Sequence, residues 1–293
     1  MKPIIEIEHL TKFYGKNRGV NDLSLSVSEG EVFGFIGPNG AGKSTTIRAM
    51  LGLISPTSGS VRLFGQGVRR GDASALAEVG YMPAEAAFYR GMRVSEVISL
   101  SAKLRRMDCA AEARRLCDRL QLDVRRRVEE LSLGNRKKVS IVCALQHRPA
   151  LCLLDEPTSG LDPLMQEAFF ELLEERHAAG GTIFLSSHVL GEVQRHCQRA
   201  GVIREGRLIA CDRVENLSRT RARRVTLHGV NRLSLPGMRD VQSEKRALRF
   251  LYDGDMAALI SALQELPVDD MTITEPPLEE IFLHFYEEGG DRA

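Results

Sequence analysis

The sequence predicts an α/β fold: a mixed, mostly parallel sheet with helical cover, a helical subdomain over about residues 85–145 and a small C-terminal α+β extension. Three observations carry this expectation. Short strands, some alternating and some wholly apolar, take turns with helical stretches, which implies parallel strands joined across helices. Apolar residues recur at three-to-four spacing through residues 93–121. The charge pattern changes abruptly near residue 219.

Ile4-Ile5-Glu6-Ile7-Glu8-His9-Leu10 alternates as a strand with one polar face does, and Leu23, Leu25 and Val27 repeat the alternation before a turn at Glu29-Gly30. Val32 to Ile36 is continuously apolar apart from Gly34, the mark of a strand covered on both faces. A glycine-rich loop follows, then a helix from Ser44 to about Ile54, closed by Pro56 and Gly59. Val94, Val97 and Ile98, then Leu100, Leu104 and Met107, mark helices. Leu151 to Leu154 and Thr182 to Ser186 are short buried strands.

Residues 219–249 hold nine basic and two acidic residues, whereas 250–293 hold one basic and eleven acidic. The oppositely charged halves either fold against each other as a small accessory domain or form two separately solvated faces. Val225-Thr226-Leu227 and Leu248 to Tyr252 read as strands, and Met256 to Leu263 as a helix. The expected domains are 1–218 and 219–293.

With 293 residues, 43% of them hydrophobic, the chain has material for a sizeable core in one or two domains. Forty basic against thirty-nine acidic residues give a net charge of +1, without the basic excess of a duplex-binding protein, so no nucleic-acid partner is expected. The longest apolar stretches, such as Val139 to Leu145, are too short to span a membrane, and Met1 to Leu10 lacks a signal-peptide core. Six cysteines without a CxxC pair read as reduced thiols of a cytosolic protein.

Gly37-Pro38-Asn39-Gly40-Ala41-Gly42-Lys43-Ser44 matches the phosphate-loop pattern G-x-x-x-x-G-K-[ST], between a buried strand and a helix as that pattern requires. Glycines let backbone N–H groups approach phosphate oxygens without a Cβ in the way, and the helix N-terminus adds positive potential. Lys43 is expected at the β- and γ-phosphates and the Ser44 hydroxyl at Mg²⁺. Thr45 continues the loop and joins the expected ATP-binding set. Asp155-Glu156 ends the apolar strand at Leu151, where open parallel sheets bind ligands. Asp155 suits the Mg²⁺-holding acid, directly or through water, and Glu156 the group that polarises an attacking water.

With these residues in place, the chain resembles the ATP-binding cassette (ABC) family of P-loop NTPases over about residues 4–215. The resemblance puts Tyr14 where the family stacks an aromatic ring on adenine. Leu131-Ser132-Leu133-Gly134-Asn135 falls where the family carries LSGGQ, which implies that Ser132 and the Gly134 N–H contact ATP held by an opposite subunit. Ser159-Gly160-Leu161-Asp162 matches the interface loop, Ser186-Ser187-His188 the switch histidine that bonds the γ-phosphate, and Glu205-Gly206-Arg207 a closing hairpin. One position departs: after Gly80-Tyr81-Met82-Pro83 the family's Gln is replaced by Ala84, followed by Glu85. Glu85 then either partly replaces the amide near Mg²⁺, through a water, or faces a membrane partner. Glu275 to Leu283 resembles the C-terminal segment of cassettes that serve bacterial drug and antibiotic exporters.

The resemblance implies an ATPase using ATP and Mg²⁺, catalysed by Glu156 and His188. It implies a homodimer or heterodimer formed with ATP, bound to a separate transmembrane permease on the inner face of the cell membrane. The alternatives are a cassette acting on ribosomes or nucleic acid, disfavoured by the single cassette without a coiled-coil insertion, and a non-catalytic nucleotide sensor.

Overall fold

The computed structural model describes residues 2–71, 73–218, 223–244, 246–264 and 266–274. The tail segment from Glu275 to Leu283 lies outside the described residues. The chain divides into two units, Met1–Val214 and Glu215–Ala293.

In the first unit, β1 (Pro3–Tyr14), β2 (Asn17–Ser28) and β3 (Val32–Ile36) lead into α1 (Lys43–Met50), followed by β4 (Ser58–Leu63), β5 (Gln66–Gly67) and β6 (Val79–Met82). Three helices come next: α2 (Val94–Leu104), α3 (Ala110–Arg119) and α4 (Leu133–Leu145). The chain then alternates through β7 (Leu151–Asp155), α5 (Pro163–Ala178), β8 (Thr182–Ser187), α6 (Leu190–His196), β9 (Arg199–Arg204) and β10 (Arg207–Arg213), before the short α7 (Val214–Ser218).

These strands form two sheets. The six-stranded sheet has the order β10-β9-β3-β8-β7-β6, parallel except where β10 runs back along β9 through the Glu205-Gly206 hairpin. The first two alternating strands are not part of it. They join β4 and β5 in an antiparallel sheet of order β2-β1-β4-β5, because the two-residue connection Gly15-Lys16 is too short for a parallel crossover. Its apolar face, with Ile5, Leu10, Leu23 and Val61, packs in one core with Phe33 and Phe35 of β3 and with Ile47 and Met50 of α1. Phe184 on β8 stacks on Phe33 with ring centroids 5.5 Å apart, and truncating such a buried ring costs about 3–5 kcal/mol.

Two local devices fix the approach to the site. Helix α1 stops at Met50, four residues before the expected end, because Gly52 takes φ +63° and the Leu53 N–H closes back on the Arg48 carbonyl, a Schellman cap. Gly80 on β6 lets α4 lie close: a Cβ there would stand 2.2 Å from the Ala144 carbonyl oxygen. In the helical stretch only Val94, Val97 and Ile98 of α2 are buried, while Leu104 and Met107 are 76% and 47% exposed. They border an apolar groove of about 580 Å³ with Tyr89, itself 76% exposed. No helix among the described residues is long and apolar enough to cross a membrane.

The second unit holds β11 (Arg223–His228), β12 (Met238–Glu244), β13 (Ala247–Tyr252), α8 (Met256–Leu263) and β14 (Asp270–Thr274). Its antiparallel sheet, order β12-β13-β11-β14, buries Val225, Leu227, Leu248 and Phe250 with Leu259 of α8 in a separate core.

Candidate active site

The carboxyl ends of β3, β7 and β8 meet side by side at the middle of the parallel sheet, and each delivers a functional segment there. After β3 the chain turns through residues 37–42, with Gly40 at φ +79° and Gly42 at φ +112°. The loop threads tightly: a Cβ on Gly42 would sit 2.5 Å from the Gly19 carbonyl oxygen, and one on Gly37 would sit 2.4 Å from that of Ile203. Glycine is therefore required at both positions, and the loop forms a small cradle that leads into α1.

Lys43, the first residue of α1, is 4% exposed. Its ammonium donates to the carbonyls of Gly37 (2.7 Å) and Pro38 (3.1 Å) and pairs with Glu156 Oε1 at 3.1 Å. The second carboxylate oxygen of Glu156 lies 3.3 Å from His188 Nδ1. Lys43, Glu156 and His188 thus form one contiguous chain of contacts, although they come from three separate connections.

Glu156 is held in a backbone conformation of φ +45°, sparsely populated for a residue with a Cβ and costing on the order of 1–3 kcal/mol. Its N–H is shared between the Ser186 carbonyl (3.2 Å) and the Ser186 hydroxyl (3.1 Å). That hydroxyl donates to Asp155 Oδ1 at 2.7 Å, so one serine orients both acids. Asp155 is 1% exposed at the end of β7, and its charge acts beyond β7: the Tyr81 phenol is pushed up first by burial and then by Asp155.

A cleft of about 350 Å³ lies over the cradle. It is lined by Asn39, Gly40 and Gly42 to Thr45 of the loop and α1, by Tyr14, Arg18 and Gly19, and by Ala84 and Glu156. Tyr14 is 45% exposed, with the Lys12 ammonium 5.2 Å from its ring centroid. Pro38 and Ala41 shape the loop from beneath; Ala41 is buried, and its N–H donates to the Pro38 carbonyl at 3.1 Å. Asp155 and His188 adjoin the cleft through their contacts with Ser186 and Glu156.

Ser132 and Gly134 do not line this cleft. Ser132 caps α4, accepting from the Asn135 N–H at 3.3 Å, and its side chain is exposed. Gly134 has its Cα against the interface-type loop: a Cβ would stand 3.0 Å from the Gly160 carbonyl oxygen. Asp162 closes that loop by capping α5, accepting from the Met165 N–H at 3.0 Å.

Two residues went unnoticed in the sequence. Arg18 lines the cleft and pairs with Glu205 at 3.1 Å. Lys137, on the second turn of α4, is 1% exposed and donates to the Glu156 carbonyl at 2.8 Å. A signal for Lys137 exists: on a helix it shares a stripe with Ile141 and Ala144, both buried, whereas Arg18 gave none.

Among the described residues no group of three or more His, Cys, Asp or Glu could hold a metal ion by itself. The hydroxyl of Ser44 and the carboxylate of Asp155 are hard oxygen donors of the type Mg²⁺ takes alongside phosphate oxygens and water, and they fit that ion.

Comparisons with known proteins show the family to which this fold belongs. The family model described as ABC transporter matches residues 20–159. The Bacitracin transport ATP-binding protein BcrA of Bacillus licheniformis is 37% identical over 216 residues, which is 71% of this chain and 69% of that protein. The Nod factor export ATP-binding protein I of Paraburkholderia xenovorans is 38% identical over 212 residues, 70% of this chain and 69% of its own length. Among solved structures, an ATP-binding subunit of an ABC transporter superposes with a TM-score of 0.68 at 31% identity, covering 73% of this chain and 91% of that one. The buried lysine in its glycine cradle, the acid pair and the histidine thus stand in a fold shared with these proteins, and the chain belongs to the ATP-binding cassette family as an ATP-hydrolysing, ATP-binding subunit of an ABC transporter.

Proposed function

We propose that two such chains, identical or related, sandwich two ATP molecules and drive a separate transmembrane permease that exports its cargo. The observation that carries this reading is the split of the site: Lys43 and Glu156 line the cleft, whereas Ser132 and Gly134 stand outside it at the exposed start of α4. A γ-phosphate contact from Ser132 therefore has to reach a nucleotide held by another chain.

In this reading Tyr14 stacks on adenine, and the amides of Asn39, Gly40 and Gly42 and the Lys43 ammonium take the phosphates. Ser44 and Asp155 would hold Mg²⁺, which would supply positive charge to the phosphates. Glu156 receives a proton from water as the water oxygen bonds to the γ-phosphorus and the β–γ bridging oxygen leaves with ADP. His188, beside Glu156, donates to the γ-phosphate. Nucleotide entry must first draw Lys43 off Glu156, so the ion pair keeps the carboxylate occupied until phosphate replaces it.

The apolar groove bordered by Tyr89, Leu104 and Met107 supports a permease contact, since a transporter ATPase has to grip a membrane protein through a water-exposed apolar face. Docking there puts the chain on the inner face of the cell membrane. Export is supported by the relatives named for bacitracin transport and Nod factor export. Affinity purification from detergent-solubilised cells tests the reading: a polytopic membrane protein is expected to co-purify, and recovery with ribosomes instead would reject it.

Glu85 gives a narrower test. It is exposed, while its neighbour Ala84 lines the cleft. A carboxylate held near Mg²⁺ through a water would favour the cation, but beside Asp155, Glu156 and the γ-phosphate it also adds like charge. Glu85→Ala is expected to weaken the Mg²⁺ dependence of hydrolysis by only a few-fold, about 1 kcal/mol. Superimposable Mg²⁺ titrations at fixed ATP would give Glu85 to the permease-facing surface.

A further inference from the structure

We propose that Lys137 is a positioning residue for hydrolysis, holding the Glu156 backbone so that the carboxylate stays aimed when Lys43 is drawn away to the phosphates. The inference rests on the reading of Glu156 as the group that takes the proton from water.

Three observations carry it. First, the peptide groups on both sides of Glu156 are clamped. Ser186 takes the N–H with two acceptors, and the Lys137 ammonium donates to the carbonyl at 2.8 Å. With φ at +45° the residue has no regular strand or helix partner for that carbonyl; the Ser159 N–H reaches it at 3.4 Å, and the Lys137 ammonium at 2.8 Å is the shorter and charged donor. Second, Lys137 is among the largest fully buried side chains of the molecule, at 1% exposure. Burying an ammonium costs several kcal/mol unless carboxylates and acceptors offset it. The charges of Asp155 and Glu156 at the end of β7 and of Glu85 after β6 do so, in that order of influence. Burial still leaves its pKa lowered. A leucine or methionine would fill the same space without this cost, so packing alone does not account for a lysine.

Third, the two lysines hold different parts of the same glutamate. Lys43 holds the side chain, at 3.1 Å, and Lys137 the main chain. Nucleotide entry competes for Lys43 and not for Lys137, which lies outside the residues lining the cleft. The second cation therefore stays on Glu156 through the cycle and offsets the acid cluster as phosphate charge arrives. Lys137 also sits little more than one turn from Ser132, so a contact made by Ser132 across a dimer would be joined to the chain's own Glu156 by one helix end.

The test compares wild type with Lys137→Met and Lys137→Gln, measuring ATP affinity, kcat, KM and Tm. Methionine keeps length and burial but cannot donate; glutamine restores a donor without charge. Lys137→Met is expected to keep Kd and KM for ATP within about threefold and to lower Tm, because a buried carbonyl and the acid pair lose their cation, while kcat falls about 10- to 100-fold. Lys137→Gln is expected to recover most of that loss. Unchanged kcat in the methionine variant would overturn the proposal. So would a loss of fold, or a loss of ATP affinity in parallel with kcat, since either would assign Lys137 to the scaffold. Glu156→Gln serves as the control: if it still turns over at the wild-type rate, the role given to Glu156 fails, and with it the ground for this test, whereas an inactive Glu156→Gln beside a fully active Lys137→Met defeats the Lys137 proposal alone.

Discussion

Lys43→Ala is expected to remove most of the ATP affinity, about 10²-fold or more. The ammonium is buried and bonded to two loop carbonyls and one carboxylate. Truncating one partner of such a buried charge pair typically costs about 2–5 kcal/mol, and each 1.4 kcal/mol is about tenfold in affinity. The loss has two parts. ATP forfeits the only lysine among the described residues that lines the cleft, and the carbonyls of Gly37 and Pro38 lose the charged donor that bridges them. Calorimetric titration of ATP, with circular dichroism to confirm the fold, measures it. Unchanged affinity would sink the phosphate-loop assignment.

The phosphate loop was legible because its chemistry is local. A strand, a glycine turn and a helix N-terminus are consecutive in the chain, so residues 32–50 declare both their fold and their ligand. The pair Asp155-Glu156 was legible for a similar reason, as the end of a wholly buried strand. The sheet assignment of β1 and β2 was less so: alternation shows that one face is wet but does not say which strands it pairs with, and only the short hairpin connection decides for an antiparallel layer. Leu104 and Met107 continue the helical spacing of Val94, Val97 and Ile98, yet they are exposed where those three are buried, because periodicity records a shared face and not what covers it. Lys137 was hidden in the opposite way. Within Arg136-Lys137-Lys138 it looks like part of a solvated basic run, and its burial comes from the distant end of β7. The left-handed backbone of Glu156 had no sequence mark at all, since Glu is an unusual residue for that conformation.

That unusual conformation bears on the second large effect, expected for Glu156→Gln: hydrolysis falls about 10²- to 10⁴-fold, the usual worth of a positioned general base, while ATP binding persists. Glutamine has the same shape and the same number of side-chain torsions. Its N–H and carbonyl keep their bonds to Ser186 and Lys137, so the strained φ is retained and the variant folds. Its amide oxygen can still accept from Lys43 but carries no charge. In the wild type the Lys43–Glu156 pair must open before Lys43 can reach phosphate. Removing the negative charge weakens that competition and lowers the repulsion between residue 156 and the incoming γ-phosphate. ATP affinity is therefore expected to equal or exceed that of the wild type. If Ser132 of one chain contacts the nucleotide of the other, uncleaved ATP then holds the two chains together, and the variant is expected to elute as a dimer in Mg-ATP and as a monomer in ADP. Gel filtration in the two nucleotides decides between outcomes. A variant that binds ATP with full affinity, does not hydrolyse it and stays monomeric would separate catalysis from the sandwich: Glu156 would keep its role, and Ser132 would lose the one assigned to it.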